Sequence, residues 1–211
     1  ADYLHHESRY GESIPILKTL VEEVPDNISY RTKLMHAYFQ TKRDRQLKAL
    51  LEQTDTYFHK NNRWTENIIS RLAASCLQNE LFPQSASYYQ EVVPLHKRTH
   101  PNRGIGNGTL SAYCQSLARA YSGWGKTAKA VDAACEAIVS WGSRQDQREN
   151  ALHALEHVLQ KASDLKAYVR QLDRESKEKG LGKPVVRKAL GRVFFQKQQY
   201  ADAASQLEQA V

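Results

Sequence analysis

Two histidines one helical turn apart, His153 and His157, are the first residues in this sequence whose types and spacing suggest chemistry. Rings at that spacing share a helix face and hold zinc when a third ligand converges. No third ligand stands nearby, and Glu does not follow the first His, so the metalloprotease helix pattern is absent and a polar pair lining a groove is the expectation. A second stretch, Ala120-Tyr121-Ser122-Gly123-Trp124-Gly125-Lys126-Thr127, fits a loose form of a phosphate-binding loop. That chemistry needs a strand before the glycines and a helix after them. Here Tyr121 completes a helical pattern and Gly123 to Thr127 reads as the turn of a hairpin, so nucleotide binding is not expected.

Other reactive types are placed without partners for catalysis. No Ser, His and Asp spacing suggests a nucleophile elbow, and Glu22-Glu23 falls on an exposed helix end. Cys76, Cys114 and Cys135 are an odd number at no metal-like spacing, each inside an apolar helical pattern, and read as buried free thiols. Trp64, Trp124 and Trp141 read as packing at hairpin corners, and His5-His6 sits at a frayed start. The sequence therefore predicts no enzyme, no metal site and no cofactor.

The elements that carry these residues are helices. Leu117, Tyr121, Val131, Ala134 and Ile138 fall at three- and four-residue steps, and no run alternates like a half-buried strand, so the class is all-α. Breaks are short and polar, as at Thr41-Lys42-Arg43-Asp44, Gln78-Asn79-Glu80 and Gln196-Lys197-Gln198-Gln199, lengths that suit antiparallel neighbours. No stretch has the roughly 18 to 20 apolar residues needed to cross a bilayer. The amino terminus lacks the order of a signal peptide. Localisation stays open, with the cytoplasm as default.

The helices repeat. Leu190-Gly191 is followed by Phe194, Tyr200, Ala203, Leu207 and Ala210, and the spacing recurs at Leu117-Ala118, Tyr121, Thr127, Ala130, Ala134 and Ala137. Further copies read Leu34-Met35, Tyr38, Leu47, Leu51 and Thr54, and Leu72-Ala73, Cys76, Phe82, Ser85, Tyr89 and Val92. A degenerate copy reads Leu155, Leu159, Leu165, Tyr168 and Leu172, and Tyr10, Ser13, Leu17 and Leu20 supply a lone second helix. This pattern resembles the tetratricopeptide repeat, and the copies advance by about 34 to 45 residues, near that family's period of about 34. The resemblance implies a right-handed α-α superhelix over residues 1–211, a single domain of about five hairpins and a partial first repeat, with an insertion near 94–109. Both ends cut through a repeat, which suggests a piece of a longer protein.

In that family the first helix of each hairpin lines a concave surface where ligands lie. The register then turns inward Lys33, His36, Asn67, Arg71, Gln115, Arg119, Asn150, His153, His157, Lys161, Lys188 and Arg192. The projected inner face carries six Lys or Arg and no Asp or Glu, and the chain has net charge +7. A basic groove focuses field on an acidic guest, so the expected function is a scaffold that binds an acidic peptide or helix of another protein. His36, His157 and Ala74 stand where the family's carboxylate clamp carries Asn, which disfavours a chaperone-tail receptor. The insertion His96 to Gly108 is the least helical part, a basic contact loop or a tolerated surface insertion. The alternatives are an RNA-binding helical-repeat module, or a regulatory or dimerisation arm of a larger enzyme.

Overall fold

The computed structural model describes residues 7–101, 108–140, 145–163, 165–179 and 183–210, with side chains undescribed at 145–149 and 175–179. Trp141, His5-His6 and positions 102–107 of the expected insertion lie outside the described residues. Among the described residues the structure is all-α, with eleven helices and no strand. The chain gathers into two compact units, Ala1–Val92 and Val93–Val211.

The first unit holds α1 (Tyr10–Glu23), α2 (Ile28–Gln40), α3 (Asp44–Lys60), α4 (Glu66–Gln78) and the first part of α5 (Phe82–Thr99). Two of these helices start where a short polar side chain satisfies an otherwise unpaired backbone N–H. Asn27 accepts from the Ser29 N–H, and Thr65 from the Ile68 N–H. Helix α1 packs on α2, and α2 packs on both α3 and α4. Their apolar sides enclose Leu17, Leu34, Met35, Tyr38, Leu47, Leu51, Phe58 and Leu72.

The second unit holds the last part of α5, then α6 (Gly108–Gly123), α7 (Thr127–Ser140), α8 (Gln145–Lys161), α9 (Leu165–Lys179), α10 (Pro184–Gln196) and α11 (Tyr200–Glu208). Helix α6 packs on α7 and α8, α7 on α8 and α9, α8 on α10, and α10 on α11. These contacts join helices that are adjacent or two apart in the chain, with a smaller contact of α10 on α7, as in a helical-repeat-like fold.

Four turns are built alike. After α2, α4, α6 and α10 the chain spends three residues before the next helix, the middle one left-handed: Lys42 (φ 57°), Glu80 (φ 57°), Gly125 (φ 72°) and Gln198 (φ 60°). The N–H of the third residue reaches back to close the turn: Arg43 to Tyr38 O at 2.8 Å, Leu81 to Cys76 O at 2.9 Å, Lys126 to Tyr121 O at 2.8 Å and Gln199 to Phe194 O at 2.9 Å. A second bond, from the left-handed residue to the carbonyl three back, completes the Schellman closure that satisfies the last helical carbonyls. The four acceptor residues are the aromatic-position residues of the repeat, and Tyr38, Cys76, Tyr121 and Phe194 are all buried.

Small residues let the paired helices approach. Ser85 Oγ donates to the Ala73 carbonyl at 2.9 Å, and Ser111 Oγ to the Ala137 carbonyl at 2.9 Å. At Gly191 an added Cβ would stand 2.5 Å from Leu207 Cγ.

One expectation is corrected at the end of α5. His96 to Thr99 were assigned to the least helical insertion, yet α5 runs through Pro94 to Thr99, with the Thr99 hydroxyl bonded back to the Leu95 and His96 carbonyls. His96 is buried, its ring stacked on His100 at 4.5 Å and edge-on to Tyr113 of α6 at 5.6 Å. The helix continues past Pro94, and its end packs on Tyr113 of α6.

Candidate functional site

The twelve residues projected onto the inner face come from the first helix of each hairpin, and the two units are taken in turn. In the first unit they lie on α2 and α4. Arg71 donates from Nη1 to Ser29 Oγ at 3.1 Å and from Nε to Asn67 Oδ1 at 3.1 Å, so α4 and α2 are bridged by a guanidinium that remains exposed. Lys33 is half-buried on α2. His36 donates from Nδ1 to Asn79 Oδ1 at 2.9 Å while Gln40 Nε2 lies 3.4 Å from its Nε2, the pattern of a neutral Nδ1–H tautomer. Tyr10 meets the same ring edge-on at 5.4 Å. Asn79 passes the network inward, donating to Ser75 Oγ at 3.3 Å.

The second unit presents α6, α8 and α10, and here a carboxylate enters that the register did not place. Glu156 of α8 is buried, accepts from Arg192 Nη1 of α10 at 2.9 Å, and lies 3.3 Å from His153 Nδ1. Arg192, read from the sequence as a cation facing a guest, and His153, read as a polar groove residue, are therefore engaged by an internal carboxylate. A buried carboxylate is retained only when a charge partner compensates its desolvation, and Arg192 supplies it.

His157 stands differently. Its pKa is lowered from the usual histidine value by burial, and further by the positive charges of Lys161 and Arg119. Arg119 and Lys161 are exposed, on α6 and the last turn of α8. Gln115 donates to Ser111 Oγ at 3.2 Å, and Asn150 and Lys188 are exposed. Gln160 and Gln196 join α8 to α10 through their amides.

The glycine-containing stretch after Tyr121 is a helix-to-helix turn. Gly123 ends α6, Thr127 opens α7, and Lys126 Nζ sits 5.4 Å over the Trp124 ring. Its one left-handed residue, Gly125, serves the hairpin closure described above. Trp64 fills a corner as expected, stacked on His59 at 4.0 Å and donating from Nε1 to Glu91.

Burial disfavours the thiolate at all three cysteines. Burial pushes Cys76 and Cys114 up to about 12, and Cys135, less enclosed, to about 11. No described helix is long and apolar enough to cross a membrane.

Two buried arginines escaped the sequence reading. Arg31 of α2 donates to the Pro25 carbonyl at 2.9 Å and lies 4.7 Å over the Tyr57 ring. Arg187 of α10 pairs with Asp173 at 2.7 Å and Gln206 at 2.6 Å. Each stands three residues before the large apolar residue of its copy, Leu34 or Leu190, a place filled by the buried Ile69 and Cys114 in two other copies. A cation at a periodic core position was the signal available.

No family model matches the chain, and no curated protein matches it. Among solved structures it is similar to the crystal structure of BtubC (BKLC) from P. vanneervenii, at 13% identity over 96% of this chain and 87% of that one, with a TM-score of 0.46. Similarity of that degree assigns neither family nor activity.

Proposed function

We propose that this chain is a tetratricopeptide-type solenoid that works as a non-catalytic scaffold, holding an acidic peptide or helix of another protein against the first helices of its hairpins. The observation that supports the reading most is the turn closed on the carbonyl of a buried aromatic-position residue, because the same reversal recurs where the first helix gives way to the second in four copies. Contacts of α2 with α4, and of α6 with α8 and α8 with α10, support a row of first helices within each unit. On those rows Arg71, Arg119, Lys161 and Lys188 keep their charges exposed. Exposed cations on a low-dielectric wall favour acidic guests and speed their capture.

Fluorescence anisotropy with a labelled glutamate-rich peptide tests the reading. Binding is expected for the 211-residue chain and is lost when Arg71, Arg119 and Lys161 are all changed to Glu, with helical circular dichroism unchanged. Equal binding by the triple variant overturns it. The net charge of +7 also suits RNA, and gel retardation over a salt series separates the two, since phosphate-backbone binding strengthens steeply as salt falls.

A further inference from the structure

Several cations in this protein sit against a carboxylate: Arg192 on Glu156, Arg187 on Asp173, Lys183 on Asp132, Lys97 on Glu136 and Arg63 on Asp26. Arg119, His157 and Lys161 are placed differently. They come from two helices in contact, Arg119 from α6 and the other two from adjacent turns of α8, and among the described residues no carboxylate pairs with any of them. The nearby acid on α8, Glu156, is turned to Arg192 of α10 and to His153.

We propose that Arg119, His157 and Lys161 form a subsite for a phosphate monoester carried by the partner segment, a phosphorylated serine or threonine. The inference rests on the scaffold reading and names the chemistry that one part of the face recognises. A carboxylate would bring one charge to two cations, Arg119 and Lys161, and to a histidine whose proton they disfavour. A phosphate monoester brings close to two, with three acceptor oxygens, and the Arg119 fork can take two of them side by side. Lys161 adds a point charge, and His157 completes the set by taking up a proton.

That proton is the signature. Without an anion, burial, Lys161 and Arg119 hold His157 below its ordinary value. A bound dianion offsets both cations and raises it. The charged groups bearing on this ring are Arg119 from α6 and Lys161 from α8 itself, while Glu156 of α8 and Arg192 of α10 satisfy each other. Binding therefore strengthens as pH falls through the raised value.

The experiment follows the His157 ring by NMR in the full chain, with His157→Gln to assign its signal. Inorganic phosphate is added against acetate and chloride at equal ionic strength. Phosphate is expected to raise the His157 pKa by roughly one unit, acetate to move it far less, and Arg119→Gln or Lys161→Gln to remove the rise. A phosphoserine peptide should then bind about tenfold more tightly than its unphosphorylated form, and only while Arg119 and Lys161 are present. A His157 response to phosphate no larger than to chloride, or one that survives both substitutions, overturns the subsite. In that case, continued capture of the glutamate-rich peptide leaves the scaffold reading standing, whereas its loss as well removes both. An RNA oligonucleotide that outcompetes the phosphopeptide, with the same dependence on Arg119 and Lys161, overturns the assignment to a peptide.

Discussion

Arg192 of α10 donates to Glu156 of α8 at 2.9 Å, with the carboxylate side chain 8% exposed and the guanidinium 42% exposed. The pair is lopsided. The buried member depends on the exposed one, and removing either has a different cost.

Arg192→Met leaves the Glu156 carboxylate enclosed without its strongest donor. A charge-assisted hydrogen bond of this kind is worth roughly 2 kcal/mol, and a loss of that order is expected in urea unfolding. Arg192→Met together with Glu156→Leu should recover most of it, because apolar residues then replace both partners. A double variant no better than the single one would show that the pair is not coupled.

The left-handed residues offer a cleaner perturbation. Lys42, Glu80 and Gln198 adopt φ values that an L side chain resists. Replacing each with Gly is expected to stabilise by about 1 kcal/mol, and Gly125→Ala to destabilise by about as much. Thermal unfolding of the four variants checks the signs, and Gly at Glu80 lowering the midpoint would contradict the turn geometry.

Thiol chemistry should rank the cysteines. With pKa values pushed up to about 12, 12 and 11 for Cys76, Cys114 and Cys135, almost no thiolate exists at pH 8. Only Cys135 is incompletely enclosed, so mass spectrometry after brief alkylation should find it labelled first. Cys76 and Cys114 should react at the rate of unfolding, and prompt labelling of Cys76 would refute the packing of α4.

Arg187 is 1% exposed, and its Nε and Nη2 have no hydrogen-bond partner among the described residues. A buried cation so incompletely satisfied contributes little net stability. Arg187→Met with Asp173→Leu and Gln206→Leu, which removes every partner together, is expected to be neutral or stabilising in chemical denaturation. Arg187→Ala alone, which opens a cavity and orphans the Gln206 oxygen, should cost about 2 to 4 kcal/mol.

The all-α class and the helix-to-helix turns were legible because both rest on local periodicity. Leu34, Leu72, Leu117 and Leu190 are buried as their spacing requires, and the breaks after Gln40, Gln78, Gly123 and Gln196 fall where polar residues interrupt it. Leu155, Leu159, Tyr168 and Leu172 of the degenerate copy are buried as well. What sequence hid is pairing between residues far apart. His36 and Asn79 are separated by 43 positions, Glu156 and Arg192 by 36. A register assigns each a face without saying which charge another helix will quench. The end of α5 was misread for a related reason, since the aromatic that covers His96 comes from α6.

The turns after α2, α4, α6 and α10 have a kinetic consequence. Because the carbonyl that closes each one belongs to a residue sealed in the interior, burying that residue and reversing the chain occur together. The hydrogen-bond partners of each turn lie within one hairpin, so its loop-closure entropy stays small and the turn itself should form rapidly. A chain emerging slowly from its synthesis could complete one hairpin before the next is available, and would then add hairpins in order.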